Sequence, residues 1–174
     1  MEIDFAPLVD PLIAQLIERL AENLKSRALT LATAESCTGG LVGAFCTSRP
    51  GSSEWFYGGV IAYDNSLKTG LLGVPGSTLA AYGAVSPETA AAMAAGARRV
   101  CGADCAVSLT GVAGPDGGSP EKPVGLVVIG IATPGAPIAA HSEIFPGSRG
   151  RIRHGAAGRA LELLNMQLEQ RTRP

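Results

Sequence analysis

A run of small apolar residues, Ala28-Leu29-Thr30-Leu31-Ala32-Thr33, leads into Thr33-Ala34-Glu35-Ser36-Cys37-Thr38-Gly39-Gly40, and an apolar stretch with helical spacing follows. A strand, a tight turn and a helix in that order commit the chain to a mixed α/β architecture. The two glycines let the backbone turn sharply and come close to a ligand. The start of the helix after them offers N–H groups with no intrahelical partner, a natural place for an anion. An ordinary strand-to-helix connection with a Ser or Thr cap would look much the same.

The rest of the chain repeats the alternation. Leu8, Leu12, Ile13, Leu16, Ile17, Leu20 and Leu24 recur at three- and four-residue steps, which predicts an amphipathic helix over residues 1–26. Gly40 to Ser48 reads as a helix stopped by Arg49-Pro50-Gly51. The aromatic and β-branched stretch from Trp55 to Tyr63 reads as a strand. Asp64-Asn65-Ser66 then caps a short helix from Leu67 to Leu72, with Lys68 in its first turn. The positive end of that helix favours a neutral amine there. Ser77 to Tyr82 is a further helical turn. Ser86-Pro87-Glu88 opens a helix that runs to Val100.

Cys105 to Thr110 alternates small apolar and hydroxyl residues and reads as a strand. It opens into the loop Gly111-Val112-Ala113-Gly114-Pro115-Asp116-Gly117-Gly118. No Gly-Lys-Ser/Thr follows, so this is not a P-loop, and no GxGxxG fingerprint is present. Pro123 to Thr133 and Ile138 to Phe145 read as an antiparallel strand pair. A last helix spans Arg149 to Gln170. The arginines near its start (149, 151, 153 and 159) read mostly as a solvated face, though one of them could answer an anion. These elements predict a three-layer α/β/α sandwich around a mixed, mostly parallel sheet with one antiparallel strand, in one domain of 174 residues.

Composition narrows the function. The net charge is −1, too little positive field for a general nucleic-acid or membrane-surface binder. The four cysteines (37, 46, 101 and 105) form no CxxC pair, and His141 and His154 stand far from them. No metal site is expected. Reduced buried thiols, no signal-peptide flank and no apolar run of spanning length predict a cytoplasmic protein.

The chemistry on offer is Ser36, Cys37, Thr38, Tyr63, Lys68, Ser108, Thr110 and Arg149. With only two histidines in the chain, a serine paired with a desolvated lysine is a more natural hydrolytic arrangement than a Ser–His–Asp triad. Cys37 is the rival nucleophile, provided the helix start lowers its pKa. Backbone N–H groups around Thr38-Gly39-Gly40, or in the loop from Gly111 to Gly118, could hold an oxyanion.

In this order the stretches Ala34-Glu35-Ser36-Cys37-Thr38-Gly39-Gly40, Pro50-Gly51-Ser52-Ser53, Tyr63-Asp64-Asn65-Ser66-Leu67-Lys68, Gly83-Ala84-Val85-Ser86, the Gly111–Gly118 loop, Lys122-Pro123-Val124-Gly125 and Phe145-Pro146-Gly147-Ser148-Arg149 resemble the CinA C-terminal domain family. Its stand-alone members are PncC-type nicotinamide-nucleotide amidases. The resemblance implies hydrolysis of nicotinamide mononucleotide to nicotinic acid mononucleotide and ammonia, without cofactor or metal, by a homodimer. It places the nucleophile on Ser36, the general base on Lys68, and supporting roles on Tyr63 and Thr110. It implies substrate binding by Thr38, Gly39, Gly40, Ser108, Gly111, Gly114 and Arg149. Thr110 stands where some relatives have Ser. Many relatives carry a further N-terminal domain, for which the expected helix from roughly Asp4 to Lys25 is predicted to leave no room. A module that binds a pyridine nucleotide or a partner without turnover is the alternative.

Overall fold

The computed structural model describes residues 9–170. Helix α1, Pro11–Lys25, is capped by Asp10, whose carboxylate accepts from the Ile13 N–H at 2.9 Å. Its apolar stripe buries Ile13, Leu16, Ile17, Leu20 and Leu24. Leu12, expected on that stripe, is 64 % exposed, and Leu8 lies outside the described residues. Strand β1 is Leu31–Glu35. It starts later than the apolar run suggests, because Ala28 takes a left-handed φ of 51° in the turn that closes α1. It also runs on through Glu35, placing Ser36 just past its carboxyl end.

Then follow α2 (Leu41–Thr47), a 3-10 turn (Ser52–Glu54), β2 (Phe56–Ile61), α3 (Asn65–Gly70), α4 (Gly76–Tyr82) and α5 (Pro87–Cys101). The chain ends in β3 (Cys105–Gly111), β4 (Leu126–Ala132), β5 (Ala139–Ile144) and α6 (Arg149–Gln170). The α5 start follows its sequence signal: Ser86 Oγ accepts from the Thr89 N–H at 3.2 Å, and Pro87 takes the first helical position.

The sheet order is β2-β1-β3-β4-β5. The β1–β2 and β1–β3 pairs are parallel, and the β3–β4 and β4–β5 pairs are antiparallel. Strand β4 alone therefore runs against the other four. One face is covered by α1, α2 and α6 over Leu31, Val107, Leu109, Ile129 and Ile131. The other, with Ala32, Ala34, Ala106 and Ala132, packs under Met93, Ala94 and Ala97 of α5. The expected three-layer sandwich is what forms.

The α5 face is made of small residues because helix and sheet approach closely there. A Cβ on Gly130 would stand 2.6 Å from the Ala90 carbonyl oxygen. The other side of α5 is equally tight: a Cβ on Gly96 would fall 2.1 Å from the Leu72 carbonyl oxygen. At an open helix position Ala is better than Gly by about 1 kcal/mol. Here the collision is with backbone, and overpacking costs about 1–3 kcal/mol or more. Gly96→Ala is therefore expected to destabilise the fold by about 2 kcal/mol in chemical denaturation. A midpoint at or above that of the parent chain would contradict this packing.

Candidate active site

The carboxyl ends of β1, β2 and β3 converge on one pocket, the usual ligand position in an open α/β sheet. Ser36 comes directly after β1, Tyr63 two residues after β2, and Thr110 and Gly111 close β3. These residues and Cys37, Asn65, Lys68, Ala84, Val85, Ala113 and Arg149 line a volume of about 210 Å³. Larger hollows of about 320 Å³ beside His141 and about 300 Å³ beside His154 hold no Ser–Lys pair.

Lys68 is the centre of the geometry. Its side chain is 1 % exposed. Nζ donates to the carbonyls of Ala62 at 2.9 Å and Tyr63 at 3.0 Å, and lies 3.2 Å from Ser36 Oγ. Among the described residues it forms no ion pair. Burial holds its pKa below the ordinary lysine value, and the negative charge of Asp64 opposes that shift. The main cause is thus desolvation, as a serine–lysine pair requires, rather than the helix dipole. Lys68 is in fact the fourth residue of a six-residue helix, at the end of its first turn. The cap is Asp64, whose Oδ1 accepts from the Ser66 N–H at 2.8 Å. That leaves Asn65, its neighbour in the cap cluster, as a pocket residue that sequence reasoning missed.

Of the α6 arginines, Arg151 is exposed as expected, whereas the other three reach partners. Arg149 donates to the Gly114 carbonyl at 2.7 Å and reaches the Tyr63 hydroxyl at 3.3 Å. Arg153 donates to the Thr38 carbonyl at 2.7 Å, and Arg159 pairs with Glu143 and Glu162. Among the described residues no Asp or Glu lines the pocket, whereas the guanidinium of Arg149 does. The site therefore favours an anionic ligand.

The turn itself differs from the expectation. The N–H groups at the start of α2 are taken by Glu35, a carboxylate 1 % exposed. It accepts from Gly40 at 3.0 Å, Val42 at 3.1 Å and Gly43 at 2.9 Å. The Gly39 N–H donates to the Ser36 carbonyl at 3.1 Å. An incoming anion would meet a helix start already occupied by a carboxylate. Thr38, Gly39 and Gly40 do not line the pocket, although all three were expected to bind substrate. Gly40 adopts φ 93°, a conformation that an L side chain resists.

Cys37 gains nothing from the helix start. Burial pushes its thiol up to about 11, and the nearby Glu35 carboxylate adds to the rise. That shift favours the protonated thiol at neutral pH and makes Cys37 the weaker nucleophile candidate.

The hydroxyls of β3 also divide. Thr110 Oγ1 donates to the Ala84 carbonyl at 2.7 Å and stays on the pocket wall. Ser108 points to the same α5 side of the sheet, but deeper: it is 0 % exposed, and its Oγ donates to the Ala90 carbonyl at 2.6 Å. Ser108 is a packing residue, contrary to the expectation that it binds substrate. Ser108→Ala is expected to cost about 1 kcal/mol of stability and leave KM for any substrate unchanged. A raised KM at unchanged stability would return Ser108 to the site. Gly111 lines the pocket, and Gly114 contributes only the carbonyl that holds Arg149.

Fold and pocket together define an α/β sandwich with a buried serine–lysine pair at the sheet's carboxyl edge. The chain belongs to the CinA C-terminal domain family, whose model matches residues 13–168. A CinA-like protein of Leptospira borgpetersenii serovar Hardjo-bovis is 48% identical over 155 residues, covering 89% of this chain and 37% of that protein. The chain thus spans little more than a third of such curated relatives. Two solved structures align over nearly their whole length. The competence/damage inducible protein CihA from Agrobacterium tumefaciens has TM-score 0.89 and 39% identity, over 94% of this chain and 99% of that one. A competence-damaged protein (CinA) superfamily protein from Escherichia coli has TM-score 0.85 and 30% identity, over 95% and 99%. Among the described residues, no group of His, Cys, Asp and Glu could hold a metal, and no helix is long and apolar enough to cross a membrane.

Proposed function

We propose that this chain is a serine amidohydrolase that converts nicotinamide mononucleotide to nicotinic acid mononucleotide and ammonia. The observation that carries the reading is the 3.2 Å contact between Ser36 Oγ and the buried Lys68 amine. A binding protein has no need to bury a lysine without an acidic partner beside a hydroxyl, since that burial disfavours the charged form. In the neutral amine two N–H bonds serve the Ala62 and Tyr63 carbonyls, which leaves the lone pair directed at Ser36. This is the orientation a general base requires.

Lys68 takes the Ser36 proton as Oγ attacks the carboxamide carbon. The C–N bond breaks, and the proton passes from Lys68 to the leaving nitrogen, releasing ammonia. Water then adds to the acyl-enzyme, giving its proton to Lys68. The ester bond to Oγ breaks, and Ser36 recovers its proton. The N–H groups of Cys37 and Ala113, both in the pocket lining, are the candidates for the oxyanion, because those of Gly39 and Gly40 are committed. Tyr63 and Thr110 shape the wall around the reacting carbon. A pocket of about 210 Å³ is below the range of about 300–1,000 Å³ that encloses a drug-sized ligand. It suits the pyridine amide, with the ribose phosphate directed outward along Arg149.

Ammonia release is measured with nicotinamide mononucleotide, with nicotinamide riboside and with free nicotinamide, without added metal. The reading expects turnover of the mononucleotide and a KM at least tenfold higher for the uncharged riboside, about 1.4 kcal/mol of lost anion binding. Tight binding of the mononucleotide without ammonia release would move the chain to the class of non-catalytic nucleotide-binding modules.

A further inference from the structure

Two side chains outside the pocket hold the turn that carries the nucleophile, one from within and one from above. Glu35 fixes the inner side through its three N–H bonds to Gly40, Val42 and Gly43. Arg153 crosses from α6 and grips the Thr38 carbonyl at 2.7 Å. A Cβ on Gly39 would stand 3.4 Å from that same guanidinium. Among the described residues, Arg153 Nε and Thr38 Oγ1 are buried without a hydrogen-bond partner. Such atoms cost stability, so the turn is held at some expense to the fold. Ser36 itself needs neither residue: its N–H donates to the Leu109 carbonyl at 2.9 Å, as a continuation of the sheet. What Glu35 and Arg153 hold is the turn just beyond Cys37, at Thr38, Gly40, Val42 and Gly43.

We infer that Glu35 and Arg153 are positioning residues that aim the backbone N–H of Cys37 at the oxyanion formed when Ser36 attacks. This rests on the amidase reading for its natural substrate, and its test does not. Donors aimed at an oxyanion act only once charge develops on the carbonyl oxygen, so misaiming them lowers kcat and leaves ground-state binding alone. The Glu35 carboxylate and the Arg153 guanidinium both lie close enough to act on Cys37 with opposite sign. With α2 already satisfied by Glu35, the negative charge of a substrate is left to the Arg149 side of the pocket.

The experiment uses the full chain with Glu35→Gln, Arg153→Met and Arg153→Lys. Each is assayed on nicotinamide mononucleotide and, separately, for pre-steady-state acylation of Ser36 by p-nitrophenyl acetate, with melting curves alongside. Arg153→Met guards against a Glu35 variant that fails to fold. Loss of one oxyanion donor costs about 10²–10³-fold in kcat, and a misaimed donor is expected to cost about tenfold or more. The expected result is that fall in kcat and in acylation rate with KM within about twofold, in protein that still melts cooperatively. Arg153→Lys should recover part of what Arg153→Met loses. If the mononucleotide is not turned over but the ester acylates the parent chain, the amidase reading fails, and the acylation rates of the variants still decide this inference. Equal acylation rates in parent and variants would overturn it. So would a rise in KM without loss of kcat, or a parent chain that the ester does not acylate.

Discussion

Lys68→Met is expected to remove amidase activity by about 10³-fold, the scale of a lost general base, and to raise the melting temperature at neutral pH. The two effects have one cause. Lys68 is 1 % exposed, and burial lowers its pKa in the folded chain. Between that lowered value and the ordinary 10.5, the unfolded chain binds a proton that the folded chain does not. Stability therefore rises with pH across this window and levels off above it. At pH values below the window the burial penalty is present in full. Methionine fills the same volume with no charge to desolvate, so its variant lacks this slope and is the more stable protein at neutral pH. On the proposed mechanism, activity of the parent chain is expected to follow the neutral amine, with kcat/KM climbing with pH up to the lowered Lys68 pKa and flat above it. A Lys68→Met protein that retains its activity, or that melts well below the parent, would contradict the assignment.

Ser36→Ala is expected to lose about 10⁴-fold or more in turnover, since the nucleophile and its base act as a unit. Its fold should survive. Among the described residues Ser36 Oγ hydrogen-bonds only with Lys68, and the backbone bond from Ser36 to Leu109 does not involve the side chain. Nucleotide affinity, read by calorimetry, should stay within about twofold. Combining Ser36→Ala with Lys68→Met should cost no more than the larger single loss. Additive losses would mean that the two residues serve separate steps.

The sandwich was legible because its signals are local and agree with one another. Ser86-Pro87 opened α5, Asp64 capped α3, and the β-branched run from Val124 to Ile131 became the inner strand β4. Ser36, Tyr63, Lys68, Thr110 and Arg149 do meet in one pocket. The errors concern which partner a polar group finds, a matter of three dimensions. Periodicity showed that β1 precedes a helix, but not that Glu35 turns back to occupy that helix start. The alternation of β3 put Ser108 and Thr110 on one face, but only depth beneath α5 separates a packing hydroxyl from a pocket one. The arginines at the start of α6 looked solvated because their acceptors, the Thr38 and Gly114 carbonyls, come from loops 115 and 35 residues away. The depressed Lys68 pKa came out with the right sign; of the two causes the sequence offered, the helix dipole and desolvation, burial is the one at work.

The central claim is a covalent intermediate on Ser36, and the most direct measurement is its mass. The parent chain, Ser36→Ala and Cys37→Ala are acid-quenched during turnover of nicotinamide mononucleotide, weighed intact and then mapped by peptide. The account predicts a nicotinoyl-nucleotide adduct on the peptide containing Ser36 in the parent and in Cys37→Ala, and none in Ser36→Ala. An adduct on Cys37, or turnover lost in Cys37→Ala and kept in Ser36→Ala, would contradict it.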